Sequence, residues 1–247
     1  MALAVPTPGI FLANSGVTPT FKDILPYSTY VKWYENVHIP DWMSAKPGAI
    51  TAAWRYQCLD TSRAMPFLVT YKYPDISATS AHEFRDVTLS DPLLPDGGPV
   101  TKFIQIVIMS GPHVETWRSG STGDERGALL VTEAIDPTNM TTDQFNDWYH
   151  QSYINEISQI DGWRRTSRFD NGPWGGGQPR WLALHEFEEK SFDAKTTKIP
   201  GLLGTSKETK RVEESAQKLD MAIWKLVRVY GDKTAPWGTE SWEDQIL

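Results

Sequence analysis

The chain says nearly the same thing twice, and nothing else in it constrains the fold as strongly. Tyr30-Val31-Lys32-Trp33-Tyr34-Glu35-Asn36-Val37-His38 returns 115 positions later as Phe145-Asn146-Asp147-Trp148-Tyr149-His150-Gln151-Ser152-Tyr153. Further along, Pro47-Gly48 is echoed by Asp161-Gly162, Trp54-Arg55-Tyr56 by Ser167-Arg168-Phe169, and Phe67-Leu68-Val69-Thr70-Tyr71 by Trp181-Leu182-Ala183-Leu184-His185. The order is kept and the offset drifts only between 113 and 115, so both halves are expected to share one topology. A period this long exceeds that of solenoid repeats, roughly 20–50 residues, and fits two copies of a small domain. Within the repeat the most reactive residue changes: His38 becomes Tyr153.

Each half reads as strand, helix, strand, strand, helix, strand. In the first, strands are expected over Ile10–Ala13, Ala49–Gln57, Phe67–Tyr73 and Phe103–Met109, with helices over Tyr27–Trp42 and near Ala78–Val87. In the second, the apolar run Ala128–Ile135 is a strand closed by the turn Asp136-Pro137-Thr138-Asn139. A helix then opens on Thr141, whose partner Gln144 three residues on forms a capping-box pattern. Phe145, Trp148, Tyr149, Tyr153 and Ile157 recur on it at helical spacing, and Gly162 supplies a left-handed stop. Strands Trp163–Asp170 and Trp181–Phe187, a helix within Thr205–Lys218 and a strand Met221–Tyr230 complete the half. The Gly/Pro-rich stretch Asn171–Pro179, with Trp174 at its centre, reads either as a lid or as an enlarged hairpin loop.

The fold class expected is therefore α+β, two tandem ferredoxin-like βαββαβ repeats over residues 1–118 and 127–247. The polar stretch 119–126 reads as the linker. Each βαββαβ unit covers one sheet face with helices and leaves the other bare. Joining the two bare faces makes an intramolecular, pseudo-dimeric α/β barrel around an internal space, and concave interiors favour small-molecule sites.

Composition narrows the partners. A net charge of −7 with a pI near 5.3 and no basic stripe argues against nucleic acid. The count of 11 Trp points to aromatic-lined surfaces or cavities, while the single cysteine, Cys58, permits no internal disulfide and reads as a buried thiol. The start lacks a basic n-region and its apolar run is broken by Pro6 and Pro8, so no signal peptide is read there. No uncharged run approaches the ~20 residues of a membrane span. A soluble, cytoplasmic protein is expected, with assembly into a homodimer left open.

The pattern aromatic-Trp-Tyr-x-x-x-His-x-Pro with a later Pro-Gly, here Trp33-Tyr34 through His38-Ile39-Pro40 and Pro47-Gly48, resembles the EthD-like branch of the dimeric α/β-barrel superfamily. The tandem layout is similar to fungal fused versions. That resemblance implies a barrel in which the matching His38 points toward the cavity. It also brings a range of chemistries: polyketide cyclases, lactone isomerases, decarboxylases, cofactor-free monooxygenases and haem proteins. The second half departs from the pattern, with Tyr153 at the histidine position and no proline after it.

His38 is the first candidate general base or acid, because an imidazole titrates near ~6.5, and Asp41 one turn along is placed to orient it. Tyr153, which replaces the motif histidine, and His185, a polar tip on an aromatic strand, are the other catalytic candidates. Tyr34, Tyr71, Tyr149 and Trp181 are candidate wall residues of a substrate cavity. Arg55 and Arg168, matched by the repeat, are candidate carbonyl or oxyanion binders with surface ion pairing as the competing account. His150 is left unassigned, and His82 and His113 are expected at the surface. There is no metal-ligand cluster pattern and no nucleotide loop, so no metal or organic cofactor is expected. The function read from these residues and the resemblance is a cofactor-independent lyase or isomerase of secondary metabolism acting on a hydrophobic, oxygenated small molecule. Cofactor-free oxygenation of an anthrone-like phenol and a carrier without turnover are the alternatives.

Overall fold

The computed structural model describes residues 6–78, 87, 89–120, 123, 125–172, 177–193, 198–199, 202, 206–232 and 245–246. The helix expected near Ala78–Val87, His82, Trp174 and part of the 119–126 stretch lie outside the described residues. The elements are β1 (Gly9–Val17), α1 (Tyr27–Trp33), α2 (Ile39–Ser44), β2 (Ala52–Cys58), β3 (Phe67–Tyr73) and β4 (Ile104–Arg118), followed by β5 (Leu129–Asp136), α3 (Thr142–Trp148), α4 (Ile154–Ser158), β6 (Trp163–Asp170), β7 (Trp181–Phe187), α5 (Lys207–Ser215), β8 (Lys218–Gly231) and β9 (Gln245–Ile246).

Eight antiparallel strands close into a barrel in the order β1-β3-β2-β8-β5-β7-β6-β4, with β4 returning to β1; β9 adds a short parallel edge to β4. Each half contributes the same local order, β4-β1-β3-β2 and β8-β5-β7-β6. The seams between halves are β2 on β8 and β4 on β6. Strands β4 and β8 run well beyond their expected bounds because each pairs with its own half and then crosses to the other. The echoed dipeptides do the same job: Gly48 and Gly162 both sit at φ 79°, a left-handed position that lets the chain leave the helix for the next strand.

Strand alternation divides each strand between two cores. The inward set, including Ile10, Leu12, Trp54, Tyr56, Leu68, Leu130, Ala134, Phe169, Leu182, Leu184 and Trp224, fills the bore. Outward residues pack against the helices, giving one core under α1–α2 and another under α3–α4–α5. The expected internal space is thus occupied by side chains, since large aromatic residues of both halves meet at its centre. One end of the bore carries charge: Glu186 takes the Arg126 guanidinium and the Gly127 N–H (2.9 Å), with Arg165 3.8 Å away. Arg126 also lies over the Trp54 ring, 4.5 Å from its centroid, so the end of the linker plugs the barrel. His113, expected at the surface, is buried here, its Nε2 2.7 Å from Thr116 Oγ1, because its position on β4 points inward. Cys58 is buried as expected. Among the described residues no helix is long and apolar enough to cross a membrane.

Candidate functional site

Both repeat helices contain a π-turn, over Tyr34–His38 and over Tyr149–Tyr153, each linking the two α segments of its half. A π-turn inserts a residue into a helix and so shifts the register of the side chains beyond it, and such turns are frequent at functional sites. In the first half it stacks His38 on Trp33 (ring centroids 4.8 Å) and on Tyr34 (5.6 Å), with Trp42 at 6.0 Å. His38 Nδ1 and Trp33 Nε1 are buried without a hydrogen-bond partner among the described residues, and the Tyr34 hydroxyl lies near Ser15. Burial pushes the His38 pKa down to about 4, so the ring is neutral near pH 7, and it holds the Tyr34 phenol well above its ordinary value. Among the described residues no hydrogen bond or ion pair joins Asp41 to the His38 ring, and burial alone accounts for the His38 shift. The Asp41 backbone carbonyl instead accepts from the Ala45 N–H and the Ser44 hydroxyl.

At the matching place in the second half the phenol and the imidazole are both hydrogen-bonded to one oxygen of Glu133, whose other oxygen, Oε1, is buried without a partner among the described residues. Tyr153 Oη donates to Glu133 Oε2 (2.8 Å), and His185 Nε2 reaches the same oxygen at 3.0 Å. His185 Nδ1 lies 3.0 Å from Thr166 Oγ1, which accepts from Trp163 Nε1 at 2.9 Å. The network is consistent with the tautomer in which Thr166 donates to Nδ1 and Nε2–H donates to Glu133. Two of the three candidate catalytic residues thus meet, through a glutamate and a threonine that the sequence reading passed over. The signal was present: Glu133 is a lone carboxylate inside the apolar run Leu129–Ile135, where a charge persists only if it is paired.

Sheet register fixes the correspondence between halves. Tyr71 faces Phe11 on β1 and Ala53 on β2; His185 faces Val131 on β5 and Thr166 on β6. Ala13 therefore stands where Glu133 does, and Ala53 where Thr166 does. The imidazole and phenol have also changed places: histidine on the helix and tyrosine on the strand in the first half, the reverse in the second. All of these residues point outward from the barrel, toward the helices. His38 accordingly faces the helix–sheet layer and not the bore, a correction that follows from its helix packing on the outer face of the sheet.

The remaining candidates have structural partners. Arg55 lies 3.1 Å from Glu35, whose other oxygen is 3.5 Å from Arg228. Arg168 is held by Glu115 and by Asn146 (2.9 Å) and lies over Tyr149, 4.1 Å from its ring centroid. Trp181 stacks on Phe145 at 5.3 Å, and His150 pairs with Glu115 at the surface (2.7 Å). Tyr149 Oη is buried without a hydrogen-bond partner among the described residues. Tyr71, fully buried beside Phe11 and Trp42, has no hydrogen-bond partner among the described residues. A cleft of about 510 Å³ lies elsewhere, between α3 and α5.

No family model matches the chain. No curated protein matches it in sequence. Solved structures do match in shape. An anthrone oxidase-like protein superposes with a TM-score of 0.59 at 11% identity, covering 91% of this chain and 93% of that one. A protein from Fusobacterium nucleatum described as a candidate monooxygenase gives 0.54 at 9% identity over 96% and 100%. Chlorite dismutase from Candidatus Nitrospira defluvii gives 0.55 at 8% identity over 90% and 91%. The fold is that of the dimeric α+β barrels. Identities this low carry the fold alone.

Proposed function

We propose that the chain is two βαββαβ halves, residues 1–118 and 127–247, fused into one barrel in which the first half is the reacting centre and the second is structural. The observation that carries this reading is the contrast at one matched place: His38 Nδ1 is buried with no hydrogen-bond partner among the described residues, whereas the Tyr153 hydroxyl and the His185 ring are both bound by Glu133 Oε2. Buried polar groups are ordinarily paired, so an imidazole nitrogen left open inside an aromatic box is a group kept for a ligand. The matched strand order, π-turns and glycines support the duplication.

The activity that fits is acid–base catalysis on a hydrophobic, oxygenated small molecule, as in a lyase or isomerase. His38 Nδ1 takes a proton from an acidic carbon beside a carbonyl, or from a phenol, and the electron pair moves onto oxygen. The Tyr34 and Tyr71 phenols, held protonated by burial, donate to that oxygen. An imidazole pushed down to about 4 is a weak base in the empty site. The anion formed beside it compensates by stabilising the imidazolium. The proton returned to a different atom completes an isomerisation or the loss of water. A second reading, cofactor-free oxygenation, is favoured by the anthrone oxidase-like and monooxygenase neighbours and shares the first step; the carbanion would then reduce oxygen.

Hydrogen–deuterium exchange at the enolisable carbon of 2-tetralone tests the shared step. The protein is expected to accelerate exchange, and His38→Gln to lower the rate by about 10²–10⁴-fold, as for loss of a general base. Exchange unaltered in His38→Gln would sink the assignment. An oxygen electrode separates the two readings: uptake with a hydroxylated anthrone supports the oxygenase, and turnover without uptake the lyase or isomerase.

A further inference from the structure

We infer that the ligand of the first half presents an acidic oxygen group, a carboxylate or an enolised 1,3-dicarbonyl, on a flat apolar body, and that the second half contains an internal copy of that bound state. The inference rests on the placement of the reacting centre in the first half and adds to it the ligand's chemical class.

In the second half, one carboxylate oxygen of Glu133 accepts from a tyrosine hydroxyl at 2.8 Å and from a histidine nitrogen at 3.0 Å. The side chain enters from the β5 position matched by Ala13 on β1. The first half keeps the histidine and the tyrosine, exchanged between helix and strand, and removes the carboxylate. With Ala13 in that place, neither His38 Nδ1 nor the Tyr71 hydroxyl has a hydrogen bond among the described residues. A ligand oxygen seated over Ala13 would satisfy both, as Glu133 satisfies Tyr153 and His185.

The surroundings agree with an anion on a flat body. Arg55 and Arg228 share one carboxylate, Glu35, leaving an excess positive charge beside Tyr34. Trp42, at the position of Ile157 in the second half, lies 6.0 Å from both His38 and Tyr71 and 5.3 Å from Phe11, so a planar molecule entering here meets ring faces. When the ligand arrives as a neutral enol, proton transfer to His38 Nδ1 breaks the O–H bond and forms an N–H bond. The oxyanion produced then accepts from that N–H and from Tyr71, the arrangement seen around Glu133.

Calorimetric titration of the whole protein with 2-naphthoate and with its neutral isostere 2-naphthamide tests this. The carboxylate is expected to bind at one equivalent and at least about tenfold more tightly than the amide. Ala13→Glu, which supplies the carboxylate internally, is expected to abolish 2-naphthoate binding. Tyr71→Phe, which keeps the ring and so guards against a folding failure in the first variant, should reduce the carboxylate preference to near parity. Equal binding of the two probes by the unaltered protein, or a preference that survives Tyr71→Phe, overturns the inference. Loss of exchange activity in His38→Gln without any carboxylate preference would leave the reacting centre in place and remove only the ligand class. A Tyr71-dependent preference with exchange unaltered in His38→Gln would do the converse.

Discussion

His38, partly exposed in the helix–sheet layer with its Nδ1 buried, and His113, buried in the bore, both have pKa values pushed down by burial from 6.5 to about 4. Neither ring gains a proton in the folded protein until the pH nears 4, whereas the unfolded chain takes protons up from about 6.5 downward. Folding stability contributed at these positions is complete above pH 6.5 and declines as the pH falls through the window to 4, where the folded rings finally charge. Thermal melts at intervals between pH 7 and 4 are expected to show that decline, and His38→Gln, which cannot titrate, should flatten it. A pH dependence of melting identical in the variant would mean that the ring is charged or solvated in the folded state. The same burial decides the chemistry, because only a neutral imidazole can accept a proton near pH 7.

At the scale of single elements, the two repeat helices start differently. Thr141 accepts from the Gln144 N–H at 3.2 Å while the Gln144 side chain takes the Thr141 N–H at 2.9 Å, a closed capping box. The first-half helix opens after Pro26 with no side-chain cap. Thr141→Ala is therefore expected to cost about 1 kcal/mol in urea unfolding. Capping of this kind was legible in the sequence because it depends on residues three apart, and so were the Gly162 stop and the central strands. The π-turns were not legible: Trp33-Tyr34 to His38 has ordinary helical spacing, and the extra residue shows only in backbone hydrogen bonds. Glu133, Ala13, Thr166 and Ala53 were missed for a related reason. Their significance lies in pairing across β-strands far apart in sequence, and Ala13 matters only through what stands opposite it in the other half. The direction in which His38 points was misread because the sheet closes with its helix on the outer face, so that the space the helix faces is the helix–sheet layer and not the bore.

At the scale of the whole molecule, the bore belongs to neither half, although each half keeps its own core under its helices. Trp54, Tyr56 and Leu68 from the first and Leu130, Phe169, Leu184 and Trp224 from the second share one bore. The seams β2–β8 and β4–β6 are continuous antiparallel ladders. A separated half would present that apolar face to water together with two unpaired strand edges, a combination that drives association. The linker is tied into the same closure through Arg126 on Glu186, so the fusion point is part of the packing. Residues 1–120 and 121–247 produced as separate chains are accordingly expected to be aggregated or unfolded alone and to recover a 1:1 complex with native circular dichroism when co-expressed. If either fragment proved monomeric and cooperatively folded by itself, the bore would not be the shared core described. The reconstituted complex also isolates the inequality of the halves: His38→Gln in one fragment should abolish 2-tetralone exchange, while Tyr153→Phe in the other should weaken assembly and leave exchange near its starting rate.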